Sequence, residues 1–191
     1  MPDPISRFAR LFDEAKRRRE LHAEAMVVAT STPNGRASAR VVLLKQFDHR
    51  GFLFFTDARS RKGEDLRTNA YAAAVFYWHQ TEKQVRIAGR VERASDDEIE
   101  AYWKGRPRAS RIAALASRQS AEIVSRRELL ARVQRLRRTF RGRPVPRPGV
   151  WVGFRIVADR IEIWSRRLHR LHHRELFVRR GDRWEQRLLQ P

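Results

Sequence analysis

Basic side chains lie beside hydroxyls and amides at four places in this sequence, a combination suited to holding phosphate groups. The four groups are Arg40–Lys45, Ser60–Lys62, Arg106 with Ser110, and Gln119 with Ser120. Arginine presents a planar fork that can contact two phosphate oxygens at once. The second group also begins a predicted helix, whose unpaired backbone amides attract anions. Each group alone is more typical of a solvated basic face, so only their combination favours a binding site.

Several other chemistries are excluded by missing motifs and residue types. None of the nine glycines forms a G-x-G pair, so the dinucleotide-binding and P-loop patterns are both absent. Neither G-x-S-x-G nor H-E-x-x-H occurs. Cysteine is absent, which excludes disulfides, thiolate metal sites and cysteine nucleophiles. Any phosphate must therefore be held mainly by side chains.

Three histidines close in sequence, His169, His172 and His173, have the composition of a metal site. We expect this segment to be a strand, in which residues three apart point to opposite faces. No acidic ligand lies within the triplet. The sequence therefore predicts no metal site in this segment and exposure for His169 and His173.

The formal net charge is +20, from 42 basic and 22 acidic residues in a chain of 191. This surplus is compatible with a nucleic-acid-binding protein, with a protein that binds small anions, or with a basic surface that has no specific partner. In the basic run Arg132–Arg143 only Phe140 is aromatic, which favours a solvated helix face over a nucleic-acid site. No apolar run approaches the roughly 20 residues of a membrane helix, and no signal-peptide stretch is present, so we expect a soluble, cytoplasmic protein.

Helix and strand signals place these groups on antiparallel strands with flanking helices. Asp3 caps a first helix, and Ser95 and Ser125 begin later helices with the S-x-x-E spacing of a capping box. A helix is also predicted over residues 60–69, where Gly63 costs about 1 kcal/mol relative to alanine. The predicted strands are 25–32, 36–47, 52–56, 71–79, 83–93, a strand pair within 151–164, and a hairpin of 176–179 with 184–189. The sum is a single α+β domain over residues 1–191, mainly antiparallel β and built on a small β-barrel.

Eight short motifs follow one another over nearly the whole chain. They are R-V-V-L-L-K at 40–45, F-F-T at 54–56, S-R-K at 60–62, E-K-Q-V at 82–85, Y-W-K-G-R-P-R-A-S at 102–110, S-R-Q-S at 117–120, W-V-G-F-R at 151–155 and W-x5-R-L-H-x-R at 164–174. In this order and spacing the chain resembles the pyridoxine/pyridoxamine 5′-phosphate oxidase family from about Asp3 to Pro191. The resemblance implies an FMN-binding split β-barrel of Greek-key type with flanking helices, found as a homodimer.

The resemblance also implies that FMN is the cofactor and that both subunits contribute to each flavin site at their interface. One subunit would supply seven residues of the early motifs, namely Arg40, Lys45, Phe55, Thr56, Arg61, Lys62 and Gln84. The site would be completed by residues of the later motifs, namely Gln119, Ser120, Trp164 and Arg174.

The substrate implied by the resemblance is a phosphorylated B6 vitamer. Its phosphate would be bound by Lys45, Tyr102, Arg106 and Ser110. Arg170 and His172 would flank the pyridine ring as the catalytic residues. The implied reaction converts pyridoxamine or pyridoxine 5′-phosphate to pyridoxal 5′-phosphate by hydride transfer from C4′ to flavin N5, and O2 then reoxidises the flavin and yields H2O2. The flavin performs the redox chemistry, so the protein supplies positioning and electrostatics.

Departures from the family pattern leave alternatives open. Arg166 and Arg167 stand where members usually carry Gly-Gly, and His173 stands where an acidic residue is usual, so positive charge is added beside the expected substrate pocket. The amino-terminal arm that helps to cover the substrate is expected to be largely missing before Asp3. One alternative is a flavin oxidase of the same fold that acts on another substrate, such as a phenazine precursor. A second alternative, from another class of protein, is a basic nucleic-acid-binding module that uses the net charge of +20.

Overall fold

A computed structural model of the chain describes residues 3–191, so the first two residues of the predicted domain lie outside the described residues. The helices are α1 (Pro4–Arg17), α2 (Arg61–Thr68), α3 (Asp96–Gly105), α4 (Arg108–Ala116) and α5 (Arg126–Thr139). The strands are β1 (Ala25–Ser31), β2 (Ala37–Leu43), β3 (Gln46–Asp48), β4 (Gly51–Asp57), β5 (Tyr71–Trp78), β6 (Lys83–Arg93), β7 (Trp151–Ser165), β8 (His173–Arg180) and β9 (Arg183–Leu189). No helix among residues 3–191 is long and apolar enough to cross a membrane.

The nine strands of residues 3–191 form one sheet in the order β2-β1-β5-β6-β7-β4-β3, with β8 added beside β7 and β9 beside β8. The pairs β1–β2, β1–β5, β3–β4, β5–β6, β7–β8 and β8–β9 are antiparallel. Consecutive strands joined by short connections favour this arrangement, because an antiparallel pair needs only a hairpin turn. The architecture confirms the predicted α+β class with a mainly antiparallel sheet.

The chain groups into two compact units. The sheet unit consists of the described residues up to Phe54, Asp65–Glu92 and Arg155–Pro191. The helical unit consists of Phe55–Glu64 and Arg93–Phe154. The helical unit contains α3, α4 and α5 together with the start of α2. A single domain over residues 1–191 stays a prediction.

The core of the sheet unit forms around Phe8 of α1. Phe8 is fully buried, and its ring centroid lies 4.9 Å from Phe47, 5.0 Å from Phe52 and 5.1 Å from Phe76. These edge-to-face contacts add to the hydrophobic gain of burying large rings. Phe8 lies on the buried apolar side of α1. The packing of that side therefore stabilises the helix in addition to its helix propensity.

The helical unit has its own smaller core. Trp103, Ile112 and Val145 are buried there, and side chains of α5 such as Val133 and Leu136 pack against them. Trp103 Nε1 donates to the Val145 carbonyl oxygen at 3.1 Å, so the buried indole has its acceptor. This core packs α3, α4 and α5 against the Pro-rich residues 144–148, which precede β7.

The two helix caps and the turn predicted at Asp3, Ser95 and Gly35 are confirmed. The Asp3 carboxylate accepts from the Ile5 backbone N–H at 3.0 Å and begins α1. Ser95 forms a complete capping box at the start of α3. Gly35 has φ +81° between β1 and β2, a conformation that suits glycine, so the predicted hairpin forms there.

Two predictions for the carboxyl-terminal region were wrong. Residues 151–164 form no strand pair; they belong to the single strand β7, because its second half pairs with β8 and no turn interrupts it. The histidine segment is not one continuous strand, since Leu168–Arg170 forms a short 3-10 turn in which His169 has φ 55°, and only His173 lies on a strand, as the first residue of β8. The strand-geometry argument against a metal therefore fails. Within residues 3–191 no group of three or more His, Asp or Glu side chains is arranged to hold a metal ion.

Candidate functional site

The helical unit brings polar side chains from three separate motifs together where α2 begins. Lys62 is buried, and its Nζ donates to Thr56 Oγ1 at 3.0 Å and to Ser60 Oγ at 3.1 Å. It also donates to Gln119 Oε1 at 2.9 Å, and Thr56 Oγ1 donates to the same amide oxygen at 2.7 Å. The predicted cofactor residues Thr56, Lys62 and Gln119 therefore form one hydrogen-bonded cluster.

The turn before α2 approaches the helix so closely that only glycine fits at position 63. A Cβ on Gly63 would lie 2.3 Å from the Ala58 carbonyl oxygen. The Ser60 hydroxyl donates to the Asp57 carbonyl at 2.7 Å and accepts from the Gly63 N–H at 3.4 Å, which stabilises the turn. Gly63 is thus required by backbone packing, whereas the sequence indicated only a helix-weakening residue. The side chain of Arg61, the exposed first residue of α2, makes no hydrogen bond or ion pair within residues 3–191.

A pocket of about 310 Å³ lies in the helical unit. It is lined by residues of α4 and of the segments around it, namely Asp57, Arg106, Ser110, Ala113, Ala114, Ser117, Gln119, Pro148, Val150 and Trp151. The Arg106 guanidinium carbon lies 4.2 Å from the centroid of a Trp151 ring, a cation–π contact. Arg106 Nη2 approaches the Ser110 carbonyl oxygen at 3.4 Å. The pocket therefore contains two predicted substrate-phosphate residues, Arg106 and Ser110.

Tyr102 and Phe55, both predicted site residues, stack in the helical unit with centroids 3.9 Å apart and planes 6° from parallel. Burial raises the pKa of the Tyr102 phenol, and the Arg106 cation opposes that change. Burial lowers the pKa of the Arg106 guanidinium, while Tyr102 opposes the effect. Near neutral pH the phenol is an uncharged donor and the guanidinium remains a cation.

In the sheet unit Arg40 lies within a network of side chains. Its guanidinium donates to Thr30 Oγ1 at 2.7 Å and to Ser38 Oγ at 2.5 Å. The buried Asp65 carboxylate lies 4.0 Å from Arg40 Nη2 and accepts from Thr30 and Ser38. Arg40 therefore has hydroxyl acceptors and a carboxylate close by within its own unit.

Arg174, also in the sheet unit, is paired with a buried carboxylate. Its Nε and Nη2 donate to Glu162 Oε1 at 2.9 Å and 2.8 Å, and Arg86 Nη1 lies 3.2 Å from Glu162 Oε2. The three residues help to line a pocket of about 240 Å³, together with Arg160 and Leu189 among others. Glu162 therefore balances charge between two arginines.

The segment after β7 places the predicted catalytic residues in the sheet unit. The Trp164 and His172 rings lie 4.6 Å apart between centroids. The Arg167 backbone N–H donates to His172 Nδ1 at 3.3 Å, so the neutral imidazole carries its proton on Nε2. Arg170 is exposed and has φ 61°, in the left-handed region of the backbone that residues other than glycine rarely adopt.

Each unit by itself contains part of the predicted residue set. In the sheet unit Lys45 is exposed between β2 and β3, and Gln84 lies on β6 opposite Tyr77 of β5. In the helical unit Ser120 is exposed with φ 69°, in the turn that carries Gln119. The roles of these residues toward a cofactor or substrate stay predictions.

The structure adds one residue for which the sequence predicted no site role. Ser60 is not that residue, since it was expected both as a helix cap and within a phosphate-binding group, and its hydroxyl accepts from Lys62. Trp151 was noted only as part of the W-V-G-F-R motif, yet it lines the pocket against Arg106. No local pattern identifies such a contact, since Arg106 and Trp151 are far apart in the chain.

Comparisons with known proteins define the class to which this fold and site belong. Residues 12–140 match the profile of the pyridoxamine 5′-phosphate oxidase family, and residues 151–191 match the pyridoxine 5′-phosphate oxidase C-terminal dimerisation region. The protein belongs to the pyridoxamine 5′-phosphate oxidase family. The resemblance inferred from the eight motifs is confirmed.

Individual relatives agree over nearly the full chain. The chain is 50% identical over 190 residues to the pyridoxine/pyridoxamine 5′-phosphate oxidase of Myxococcus xanthus strain DK1622, covering 100% of this chain and 92% of that one. The structure of PhzG from Burkholderia lata 383, in complex with tetrahydrophenazine-1-carboxylic acid, matches with a TM-score of 0.95 and 34% identity, covering 99% of this chain and 93% of that chain. A pyridoxamine 5′-phosphate oxidase-related, FMN binding protein from Nostoc punctiforme matches with a TM-score of 0.77, 19% identity and 96% coverage of both chains. The predicted split β-barrel fold is confirmed.

Proposed function

We propose that the protein is an FMN-dependent oxidase that converts pyridoxamine or pyridoxine 5′-phosphate to pyridoxal 5′-phosphate, with O2 as acceptor and H2O2 as product. The observation that carries the proposal is the cluster of Lys62, Thr56 and Gln119, in which three cofactor motifs of the family meet. Membership of the family and 50% identity to a relative named for this activity support it.

The groups at the start of α2 fit the phosphate of FMN. Arg61 and Lys62 supply two positive charges, and the first turn of α2 adds backbone amides that point toward an anion. Thr56, Gln119 and Ser120 offer hydroxyl and amide groups in the same unit. FMN is the cofactor that this donor set and the family support. The residues that would hold the rest of the cofactor are Arg40, Lys45, Phe55, Gln84, Trp164 and Arg174.

Bound FMN supplies the redox chemistry, namely acceptance of a hydride from C4′ of the substrate and reoxidation by O2. The chain itself binds and orients the vitamer. Arg106, Ser110, Tyr102 and Lys45 hold the substrate phosphate, which sets the distance of the ring from its anchor. No side-chain nucleophile is required.

Arg170 and His172 flank the pyridine ring in this proposal. The hydrogen bond from the Arg167 amide leaves His172 Nε2–H as a donor toward an acceptor on the substrate. The Trp164 ring restricts the rotation of the imidazole from one side. The left-handed backbone at Arg170 is a local strain of the kind found at functional sites.

The proposal extends to a homodimer with FMN at the subunit interface. The match of residues 151–191 to the family's dimerisation region supports the dimer. Trp164, Arg170, His172 and Arg174 all lie within that matched region, so the segment that dimerises would also supply site residues. The cytoplasmic location stays a prediction.

A phenazine precursor is the second candidate substrate, because PhzG, at 34% identity and TM-score 0.95, is described in complex with such a compound. The departures Arg166 and His173 give this candidate less support than the sequence indicated. Arg166 forms an ion pair with Glu82, and His173 Nε2 lies 3.7 Å from the buried Glu175 carboxylate. Arg166 and His173 therefore each have a carboxylate neighbour. No observation favours a nucleic-acid-binding module, and α5 lies within the family match.

The purified protein tests the proposal directly. FMN is added and free flavin removed, and flavin absorbance then measures the bound fraction. We expect about one flavin per chain and peroxide release with pyridoxamine 5′-phosphate, and a markedly lower rate with tetrahydrophenazine-1-carboxylic acid. Protein that takes up no FMN refutes both flavin activities. Protein that binds FMN but oxidises only the phenazine compound refutes the B6 assignment alone.

A further inference from the structure

The indole of Trp151 differs from the other tryptophans whose rings pack in the two cores. Trp78 Nε1 donates to the Ala23 carbonyl at 2.9 Å, and Trp103 Nε1 donates to the Val145 carbonyl at 3.1 Å. Trp151 Nε1 is also a buried atom but has no acceptor among residues 3–191. A buried donor without an acceptor is costly and therefore rare in proteins. The Trp151 N–H is accordingly a candidate for contact with a ligand.

Arg106 has an unpartnered donor of the same kind. Its Nε is buried without an acceptor in the described part of the chain, although its Nη2 reaches the Ser110 carbonyl. Arg106 forms no ion pair with any carboxylate of residues 3–191. Its guanidinium lies 4.2 Å from the Trp151 ring, and both residues line the pocket of about 310 Å³. Two unsatisfied donors, one of them cationic, thus belong to one pocket.

The acidic residue of this pocket does not oppose an anion strongly. Asp57 accepts from Arg59 Nε at 3.0 Å and from Arg59 Nη2 at 2.7 Å. Burial raises the pKa of the Asp57 carboxyl, but the hydrogen bonds from Arg59 outweigh it and the pKa stays below its usual value. The carboxylate is therefore ionised and already balanced by its own arginine. Ser110 and Ser117 also line the pocket.

We infer that Trp151 is a substrate-binding residue, whose indole N–H donates to the phosphate of the substrate beside the Nε–H of Arg106. The indole face also positions the Arg106 guanidinium through the cation–π contact. The inference rests on the proposed function, since it assigns the pocket to the phosphate monoester of that substrate. Two N–H donors from different side chains suit a tetrahedral dianion, which presents oxygens in several directions.

The test compares Trp151→Phe with wild type in the FMN-bound protein. Phenylalanine keeps an aromatic face for the Arg106 guanidinium and removes the N–H donor, together with part of the volume of the indole. The equilibrium affinities for pyridoxal 5′-phosphate and for pyridoxal are measured by flavin difference absorbance. We expect the preference for the phosphorylated compound to fall about 10-fold or more, as for loss of one hydrogen bond to a charged group. KM for pyridoxamine 5′-phosphate should rise by a similar factor with kcat nearly unchanged. The matched control, Trp184→Phe on β9, should leave the preference unchanged.

An unchanged preference in Trp151→Phe overturns the inference while the proposed function stands. Wild-type protein that binds pyridoxal 5′-phosphate no better than pyridoxal also overturns it, whatever activity is found. If Trp151→Phe does not fold, wild-type protein decides the question by NMR. The Trp151 indole proton resonance, assigned by its loss in Trp151→His or another tolerated variant, should move downfield when pyridoxal 5′-phosphate is added and not with pyridoxal. An indole resonance that does not respond to the phosphate refutes the inference.

Discussion

Arg174 in the sheet unit and Arg106 in the helical unit belong to the same predicted set of site cations, but their surroundings are opposite. Arg174 donates twice to the buried Glu162 carboxylate. Arg106 is surrounded by aromatic rings, at 4.2 Å from Trp151, 5.8 Å from Trp103 and 5.9 Å from Tyr102. The first charge is balanced by the protein itself, whereas the second is not balanced by any carboxylate of residues 3–191.

This difference separates two uses of arginine in one chain. A carboxylate-paired guanidinium is stabilised in the free protein and can fix local structure without a ligand. A half-buried guanidinium among aromatic rings has lost part of its hydration without gaining an anion, so an incoming phosphate gains more from it. Substitutions at the two sites should therefore affect different measurements, binding at Arg106 and stability at Glu162.

Arg106→Ala should give the largest effect. We expect KM for pyridoxamine 5′-phosphate to rise about 100-fold or more, because a charge-assisted phosphate contact is lost. Bound FMN and the thermal midpoint should change little, since no carboxylate loses its partner. Steady-state kinetics, flavin absorbance and thermal unfolding measure the three quantities. Loss of flavin instead of substrate affinity would show that this pocket holds the cofactor phosphate.

Lys62→Met should come next and should act on the cofactor. Removal of the buried ammonium from its contacts with Thr56, Ser60 and Gln119 should weaken FMN binding about 10- to 100-fold. The matched control is Lys104→Met on α3, where the side chain is 74% exposed. Equilibrium dialysis with FMN gives both dissociation constants. Equal constants for the two variants would contradict a cofactor role for the α2 turn.

Glu162→Gln should mainly reduce stability. Arg86 and Arg174 would lose the carboxylate that balances them, which we expect to lower the free energy of unfolding by about 1–3 kcal/mol, between the values typical of surface and buried pairs. Glu185→Gln, at a half-exposed pair with Arg187, should change it by less than about 0.5 kcal/mol. Denaturant titration compares the two variants. If both variants lose the same free energy of unfolding, the Glu162 carboxylate does not balance the charge of Arg174.

Ser95→Ala should have the smallest effect. It tests how much the capping box of α3 contributes to the stability of the helical unit. Loss of the capping box at the start of α3 should cost about 1 kcal/mol of unfolding free energy. The measurement is the denaturation midpoint, with KM for substrate as a control that should stay within twofold. A large rise in KM would mean that α3 fixes Tyr102 and Arg106 less firmly than the capped helix suggests.

Local signals in the sequence predicted local structure, and long-range packing explains where they failed. Asp3, Ser95 and Gly35 act on residues within one turn, so their roles follow from sequence alone. The unbroken strand β7 depends on its pairing with β8, which is determined by distant residues. Gly63 has low helix propensity, and only the nearby Ala58 carbonyl shows why it is needed.

The motifs predicted some residues of the candidate site, whereas other contacts of the site depend on the folded chain. The eight motifs gave the family, and they named Thr56, Lys62 and Gln119 before the structure showed their contacts. Motifs state which residues recur, but not which donors lack acceptors. The unsatisfied N–H of Trp151 and the carboxylate beside Arg174 emerge only when the folded chain is considered.

The hydrogen-bonded setting of Lys62 has a consequence for chemical reactivity. Of the five lysines in the chain, Lys62 is 5% exposed, while Lys16, Lys83 and Lys104 have side chains 56%, 23% and 74% exposed and Lys45 is also exposed. An amine enclosed by three oxygen acceptors has little freedom to attack an acylating reagent. Lys62 should therefore be the last lysine to be labelled, and mass spectrometry of its acylation can follow the opening of the α2 turn.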